Sequence, residues 1–226
     1  MLEEEKISLA SEKKELLSER IHDEILELII KNAADEEMVL NEKRLMELFG
    51  VSKAPIREAL IKLCSEGVLR NIPRYGYVVV RLREKDAREV MRMRQLLEQE
   101  ALREGFEQVV QYHLPEIQKK LEETERQKEE RENAGGEHMD VWQVWEDNEE
   151  FHLLLASYAG NQLILRFLKE CLGIQKRVYA QFSWNRRRSL DDSIDKQPHM
   201  GIYKALQERD LDKALKLLGE DIMSTI

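Results

Sequence analysis

Residues 41–60, NEKRLMELFGVSKAPIREAL, constrain the fold more tightly than any other stretch of the chain. Leu45, Leu48 and Phe49 recur at helical spacing, Gly50 can take the left-handed conformation that ends a helix, and Ser52 can cap the next one. In the second helix Ile56, Ala59, Leu60 and Leu63 share one side, while Lys53 and Arg57 lie a turn apart near its start. Apolar and cationic residues therefore occupy different faces, one suited to a core and the other to a groove. Pro55 falls in the first turn, where a missing amide donor costs little. Two helices about a tight turn make a helix-turn-helix, although an ordinary helical hairpin with a charged solvent face fits the same spacing.

The residues beyond the second helix narrow that choice. Gly67 stops the helix, Val68 to Asn71 and Tyr77 to Arg81 are rich in β-formers, and Ile72 to Gly76 between them carries Pro, Gly and Arg. The pattern predicts a two-stranded wing. With it, the run GVSKAPIREALIKLCSEGVL followed by PRYGYVV resembles the DNA-binding domain of GntR-family bacterial transcription regulators, over residues 15–82. The resemblance implies operator DNA as partner, with Lys43, Lys53 and Arg57 at or near the major groove and Ser52 with the helix start meeting phosphate. It also brings Arg74, Tyr75 and Gly76, at the wing tip, towards the minor groove. Lys53 and Ala54 stand where Arg and Thr are commoner in the family, which puts the usual base preference in question.

The formal net charge of −9 at first opposes a nucleic-acid partner, since phosphate neutralisation needs a local excess of Lys and Arg. That excess is present locally: from Asn41 to Arg81 eight cationic side chains stand against four glutamates. The acidity lies elsewhere, where it would keep DNA from other surfaces. A chain of 226 residues is long enough for two domains, and no stretch is long and apolar enough to span a bilayer. The opening MLEEEKISLASEKKELL is too acidic for a secretory signal, so the expected location is cytoplasmic. Cys64 and Cys171 sit in predicted helices of different domains and are expected to be buried reduced thiols.

In chain order, residues 1–14 lack apolar periodicity and form a flexible lead-in. Leu17, Ile21, Ile25, Leu28 and Ile29 then give an amphipathic helix behind the helix-turn-helix, and Asn32 to Glu37 is a polar connection. After Arg83 the chain reads as entirely helical. Lys85 to Glu107 carries Val90, Met93, Leu96, Leu97, Ala101 and Leu102 on one side. Pro115 opens a second helix with a charged tail, Asn133 to Gly136 breaks the chain, and a third helix spans Met139 to Ala159 with Trp142, Trp145 and Phe151. Gly160 and Asn161 turn into a fourth over Gln162 to Phe182. Trp184 to Asp195 is a loop whose Arg186, Arg187 and Arg188 could hold an anion but fit a solvated surface better. Helices over Ser193 to Arg209 and Leu211 to Ser224, the latter capped by Asp210, finish the chain. The predicted fold class is mainly α, an N-terminal winged helix-turn-helix followed by an antiparallel all-α bundle.

Polar residues interrupt the bundle's apolar faces at four places. Asn148 and His152 are one turn apart, His199 lies with Ile202, Tyr203 and Leu206, and Asp221 follows Leu215, Leu217 and Leu218. The motifs R-x-x-L-E-x-x-A at Arg94 to Ala101 and F-H-x-x-L-x-x-x-x-G-N at Phe151 to Asn161 resemble the effector-binding helical domain of the FadR subfamily, called FCD, over residues 84–226. In many such domains an Asp and three His hold a divalent metal, and the matching positions are Asn148, His152, His199 and Asp221. Asn replaces the usual Asp and Asp the usual last His, which leaves one carboxylate and two imidazoles for Zn, Ni or Mn. Hydrogen-bonded pocket histidines without metal fit the same residues. The resemblance further implies a small carboxylate effector, with Arg94 projecting into the same interior, where a bidentate guanidinium suits an organic acid. No organic cofactor is expected.

The leading functional reading is a ligand-responsive transcription regulator, most often a repressor in the family, acting as a homodimer on a palindromic operator. An enzyme is the second class: Glu149-x-x-His152 matches half of a di-iron site, but no second Glu-x-x-His is present and Lys196 stands in the matching position before His199. A helical adaptor is the third, and it leaves the wing unexplained.

Overall fold

A computed structural model describes residues 2–32, 38–133, 141–182 and 198–223. The chain divides into two compact units, the first running to Leu82 and also taking in residues 180–182, the second made of the other described residues from Arg83 onward.

In the first unit, helix α1 (Leu2–Lys31) packs on α3 (Lys53–Ser65), and α2 (Glu42–Phe49) also packs on α3. Ile21, Ile25 and Ile29 of α1 meet Ile56, Ala59, Leu60 and Leu63 of α3 in one core, as the periodicity predicts. Helix α1 begins at Leu2, so residues 2–14 extend it where a lead-in without regular structure was expected. Glu, Lys, Leu and Ala are strong helix formers, and an added turn on an existing helix needs no new nucleus.

Asn41 caps α2, its Oδ1 accepting from the Lys43 amide at 2.9 Å, and Gly50 ends it at φ 64°. Leu45 is buried but Leu48 is 60% exposed, so the buried face of α2 is narrower than the three-residue pattern. The end of α3 closes in a Schellman motif, with Val68 N–H donating to Leu63 O and Gly67 N–H to Cys64 O. Strands β2 (Leu69–Ile72) and β3 (Gly76–Val79) form the expected antiparallel wing. A third strand, β1 (Val39–Leu40), pairs with β3 in the order β1-β3-β2. Two residues are too few to show an alternating pattern, so periodicity alone does not reveal it.

Among its described residues the second unit consists of helices and short turns, with no strand. Helix α4 (Glu84–Gln108) runs through a π turn at Val109–His113 into α5 (Leu114–Asn133). Pro115 cannot donate to a carbonyl four residues back, and the widened turn lies just ahead of it. Next come α6 (Val141–Ser157), α7 (Gln162–Phe182), α8 (Pro198–Gln207) and α9 (Leu211–Met223). Asn161 caps α7 through its Oδ1, and Asp210 caps α9 by accepting from Lys213 N–H at 2.9 Å.

One core joins α4, α5, α6, α8 and α9 around Leu102, Phe151, Leu206 and Leu218, and a smaller one seats Ile164, Leu168 and Leu172 of α7 against Ala101 and Ala156. The buried stripe of α4 is Ala87, Met91, Arg94, Glu98, Ala101, Leu102, Gly105 and Phe106. The expected stripe through Met93 and Leu96 is thereby corrected: both are exposed, because the helix turns a charged pair inward. Gly105 allows that approach, since a Cβ there would lie 2.9 Å from the backbone at Tyr158 and Ala159. Cys64 and Cys171 are free thiols, each only partly buried. No helix among the described residues is long and apolar enough to cross a membrane.

Candidate DNA-reading face and buried histidine cluster

On the first unit, Lys53 and Arg57 project from the exposed side of α3, opposite Ile56 and Leu60. Lys53 Nζ lies 3.1 Å from Glu42 Oε2, and the other oxygen of Glu42 accepts from Tyr77 OH at 3.2 Å. Glu42 therefore tethers Lys53 to the wing strand β3. Lys43 Nζ is 4.0 Å from Glu47, and Arg57 forms no salt bridge among the described residues. Ser52 occupies the N-cap position of α3, but its hydroxyl accepts no capping bond, which corrects the expected role and leaves the side chain exposed.

At the wing tip, Tyr75 N–H donates to Ile72 O at 3.0 Å, closing a turn with Pro73 second and Arg74 third. Arg74 has φ 66°, the positive value that a type II turn demands at that place. Tyr75 is exposed beside it, and Gly76 at φ 130° approaches Leu40 so closely that a Cβ would sit 2.8 Å from its carbonyl oxygen.

In the second unit, three of the four expected ligand positions converge. His152 of α6 is 1% exposed, with Nε2 3.1 Å from Asp221 Oδ2 of α9, and His199 Nε2 of α8 lies 3.3 Å from the same oxygen. The His199 ring stacks on Phe151 at 3.9 Å between centroids, which fixes its plane. Asn148 is half-buried one turn before His152. Arg94 is wholly buried, and its guanidinium faces a carboxylate of its own chain: Nε donates to Glu98 Oε1 at 2.7 Å, and Nη1 donates to Gln175 Oε1 of α7. Glu98 Oε2 in turn lies 2.5 Å from His152 Nδ1. A continuous polar row therefore runs from Gln175 through Arg94, Glu98 and His152 to Asp221 and His199. Sequence reasoning misses Glu98 and Gln175: the i, i+4 spacing pairs Arg94 with Glu98, and only their place beside Ala101 and Leu102 hints at burial.

Burial opposes every charge in this row, and the neighbours decide the outcome. For Glu98, desolvation is outweighed by the His152 and Arg94 charges, which hold its carboxyl below the usual range. Asp221 is likewise held low against its burial, by the His152 and His199 rings beside its Oδ2. Burial would lower His152, but Glu98 and Asp221 prevail and raise it. His199 goes down, because burial exceeds what Asp221 returns.

A divalent metal fits this donor set. Two imidazoles and a carboxylate suit Zn, Ni or Mn, and their three ligand atoms lie within 4.8 Å of one another. Tetrahedral bonds of ~2.0–2.1 Å would put ligand atoms roughly 3.3 Å apart, close to the 3.1 and 3.3 Å observed. His199 Nε2 is moreover buried without an aligned hydrogen bond among the described residues. The Arg186 to Arg188 run and Trp142 lie outside the residues whose side chains are described.

A winged helix-turn-helix unit followed by an all-helical unit is the architecture of a class of bacterial regulators. The chain belongs to the GntR family: its residues 17–79 match the model for bacterial regulatory proteins of the gntR family, and residues 89–223 match the FCD domain. It is a DNA-binding transcription regulator of that type, and its relatives are regulators rather than enzymes. An uncharacterized HTH-type regulator of Bacillus subtilis, YdhC, is 32% identical over 130 residues, 58% of this chain and 55% of that protein. The match thus spans little more than half the length of that relative. The HTH-type transcriptional repressor RspR of Escherichia coli is 28% identical over 184 residues, 81% of this chain and 75% of its own. Among solved structures, E. coli McbR/YncC superposes with a TM-score of 0.71 at 20% identity, covering 92% of this chain and 94% of that one. A putative GntR regulator from Rhodococcus sp. RHA1 gives 0.68 at 18% identity with the same coverage, and these two likenesses concern the fold alone.

Proposed function

We propose that the protein represses transcription by binding a two-fold-symmetric operator as a homodimer, and that a small carboxylate, held through a divalent metal, changes its affinity for that DNA. The observation that carries the metal is the spacing of His152 Nε2, His199 Nε2 and Asp221 Oδ2, which suits one ion. Asn148, half-buried one turn from His152, is the fourth candidate ligand, a weak neutral one. When bound, the metal supplies a Lewis-acidic site for a carboxylate oxygen.

Charge explains why metal and effector would act together. With neutral imidazoles, Arg94, Glu98 and Asp221 leave the pocket one unit negative, which repels an anion. A divalent ion makes it one unit positive, which one carboxylate neutralises. Arg94 enters this reading mainly as the cation opposing Glu98; an effector reaching it would have to displace Gln175 or share the guanidinium. On the DNA side, Arg57 and Lys53 read the major groove, Lys43 and Ser52 with the start of α3 meet phosphate, and Arg74, Tyr75 and Gly76 enter the minor groove. A regulator acting on operator DNA would do so in the cytoplasm.

A second reading, a metal-free cluster, is favoured by one feature: both nitrogens of His152 face carboxylates, an arrangement that suits a hydrogen-bonded imidazolium. Calorimetry separates the two. Zinc-loaded protein titrated with mono- and dicarboxylates is expected to give heat that the chelated protein does not; no heat from any organic acid in either state counts against a carboxylate effector.

A further inference from the structure

Glu98 is a buried carboxylate of the helical unit that stands outside the candidate ligand set, and so far it enters only through its charge. It is 3% exposed, and its two oxygens divide their work. Oε1 takes Nε of Arg94 at 2.7 Å, with Nη2 of the same guanidinium also at 2.7 Å. Oε2 lies 2.5 Å from His152 Nδ1, across 54 positions of sequence. Gln175 holds Arg94 from the far side; because a guanidinium only donates, the amide must turn its oxygen to Arg94.

We propose that Glu98 is the positioning residue of the cluster: by accepting the Nδ1 proton of His152 it fixes Nε2 as the nitrogen turned to Asp221 and His199, and so as the metal-ligating atom. This rests on the reading of the cluster as a metal site. A neutral imidazole has one N–H, and two carboxylates compete for it. Glu98 Oε2 is nearer than Asp221 Oδ2, 2.5 against 3.1 Å, and the Asp221 oxygen also lies within 3.3 Å of His199. The proton therefore sits on Nδ1, and the lone pair on Nε2 points at the shared site. A carboxylate behind a metal-bound histidine fixes both the tautomer and the ring's orientation. Arg94, itself clamped by Gln175, keeps Glu98 from turning away.

Two measurements on the full-length protein test this. Long-range proton–nitrogen NMR of chelated protein, recorded where His152 carries a single proton, is expected to find it on Nδ1; a proton on Nε2 would overturn the proposal, and needs no variant to fold. Competition between the protein and a chromophoric chelator for Zn2+ is expected to show roughly 10–100-fold weaker binding in Glu98→Gln, with the zinc-free circular dichroism unchanged. Wild-type zinc affinity in folded Glu98→Gln would also overturn it. Wild-type protein that takes no zinc, yet keeps its proton on Nδ1, defeats the metal reading while leaving the tautomer assignment in place.

Discussion

His22 Nε2 of α1 lies 2.7 Å from Glu66 Oε2, so a histidine on the supporting helix grips the C-cap residue of α3. The ring is 7% exposed, and its other nitrogen reaches Asp23 at 2.8 Å. His22→Ala removes this tie and a buried ring from the α1 and α3 contact. It is expected to destabilise the protein by about 1–2 kcal/mol after allowance for the partly exposed carboxylates, measured as a shifted urea midpoint with unchanged slope.

Arg57 and Lys43 should fail differently. Arg57→Ala is expected to lose about 1–3 kcal/mol of specific operator binding and to relax base preference at one position. Lys43→Ala should weaken binding to all sequences alike and lower the salt slope by about one unit. Mobility shifts at several salt concentrations check both, and equal effects on specific and random DNA for Arg57→Ala would remove the base-reading role.

Gly76→Ala tests the wing. At φ 130°, with a Cβ 2.8 Å from Leu40 O, alanine must strain the backbone or push β1 off β3. A loss of roughly 1–3 kcal/mol is expected in denaturant unfolding, together with weaker DNA binding.

Acid should unsettle the metal-free helical unit. Glu98 and Asp221 are held below their ordinary values of 4.5 and 3.8. A depressed carboxyl contributes stability that is fully present above its unfolded value and lost as pH falls through the folded one. The melting temperature of chelated protein should therefore decline once pH drops below about 4.5. His152, held above 6.5, acts at higher pH and is constant in that window. Asp221→Asn should flatten the decline; an unchanged profile would show that the carboxylate is not charge-paired in solution.

Much of this architecture was legible because local signals and tertiary packing agree. Gly160 and Asn161 fixed the start of α7, Asp210 that of α9, and the isoleucines of α1 with Ile56, Ala59 and Leu60 described the core of the winged unit. The misses have physical causes. Arg94 and Glu98 share the spacing of exposed pairs such as Lys85 and Glu89, so nothing in the spacing says which pair is buried. That depends on α6, α7, α8 and α9 closing over α4, which also leaves Met93 and Leu96 outside. His152, His199 and Asp221 come together from three helices and were anticipated through the family resemblance; their spacing along the chain carries no such information. Ser52 stood where a cap belongs, yet a cap also needs a rotamer that sequence does not specify.

As proposed, the protein is a sequence-specific DNA regulator whose output depends on the cluster around His152. Purified full-length protein should be incubated with fragmented genomic DNA and the bound fragments sequenced, with zinc present and again after chelation. A small set of fragments sharing a two-fold-symmetric sequence, with occupancy that changes on chelation, is the predicted result. Even recovery of the whole genome in both states would contradict the account.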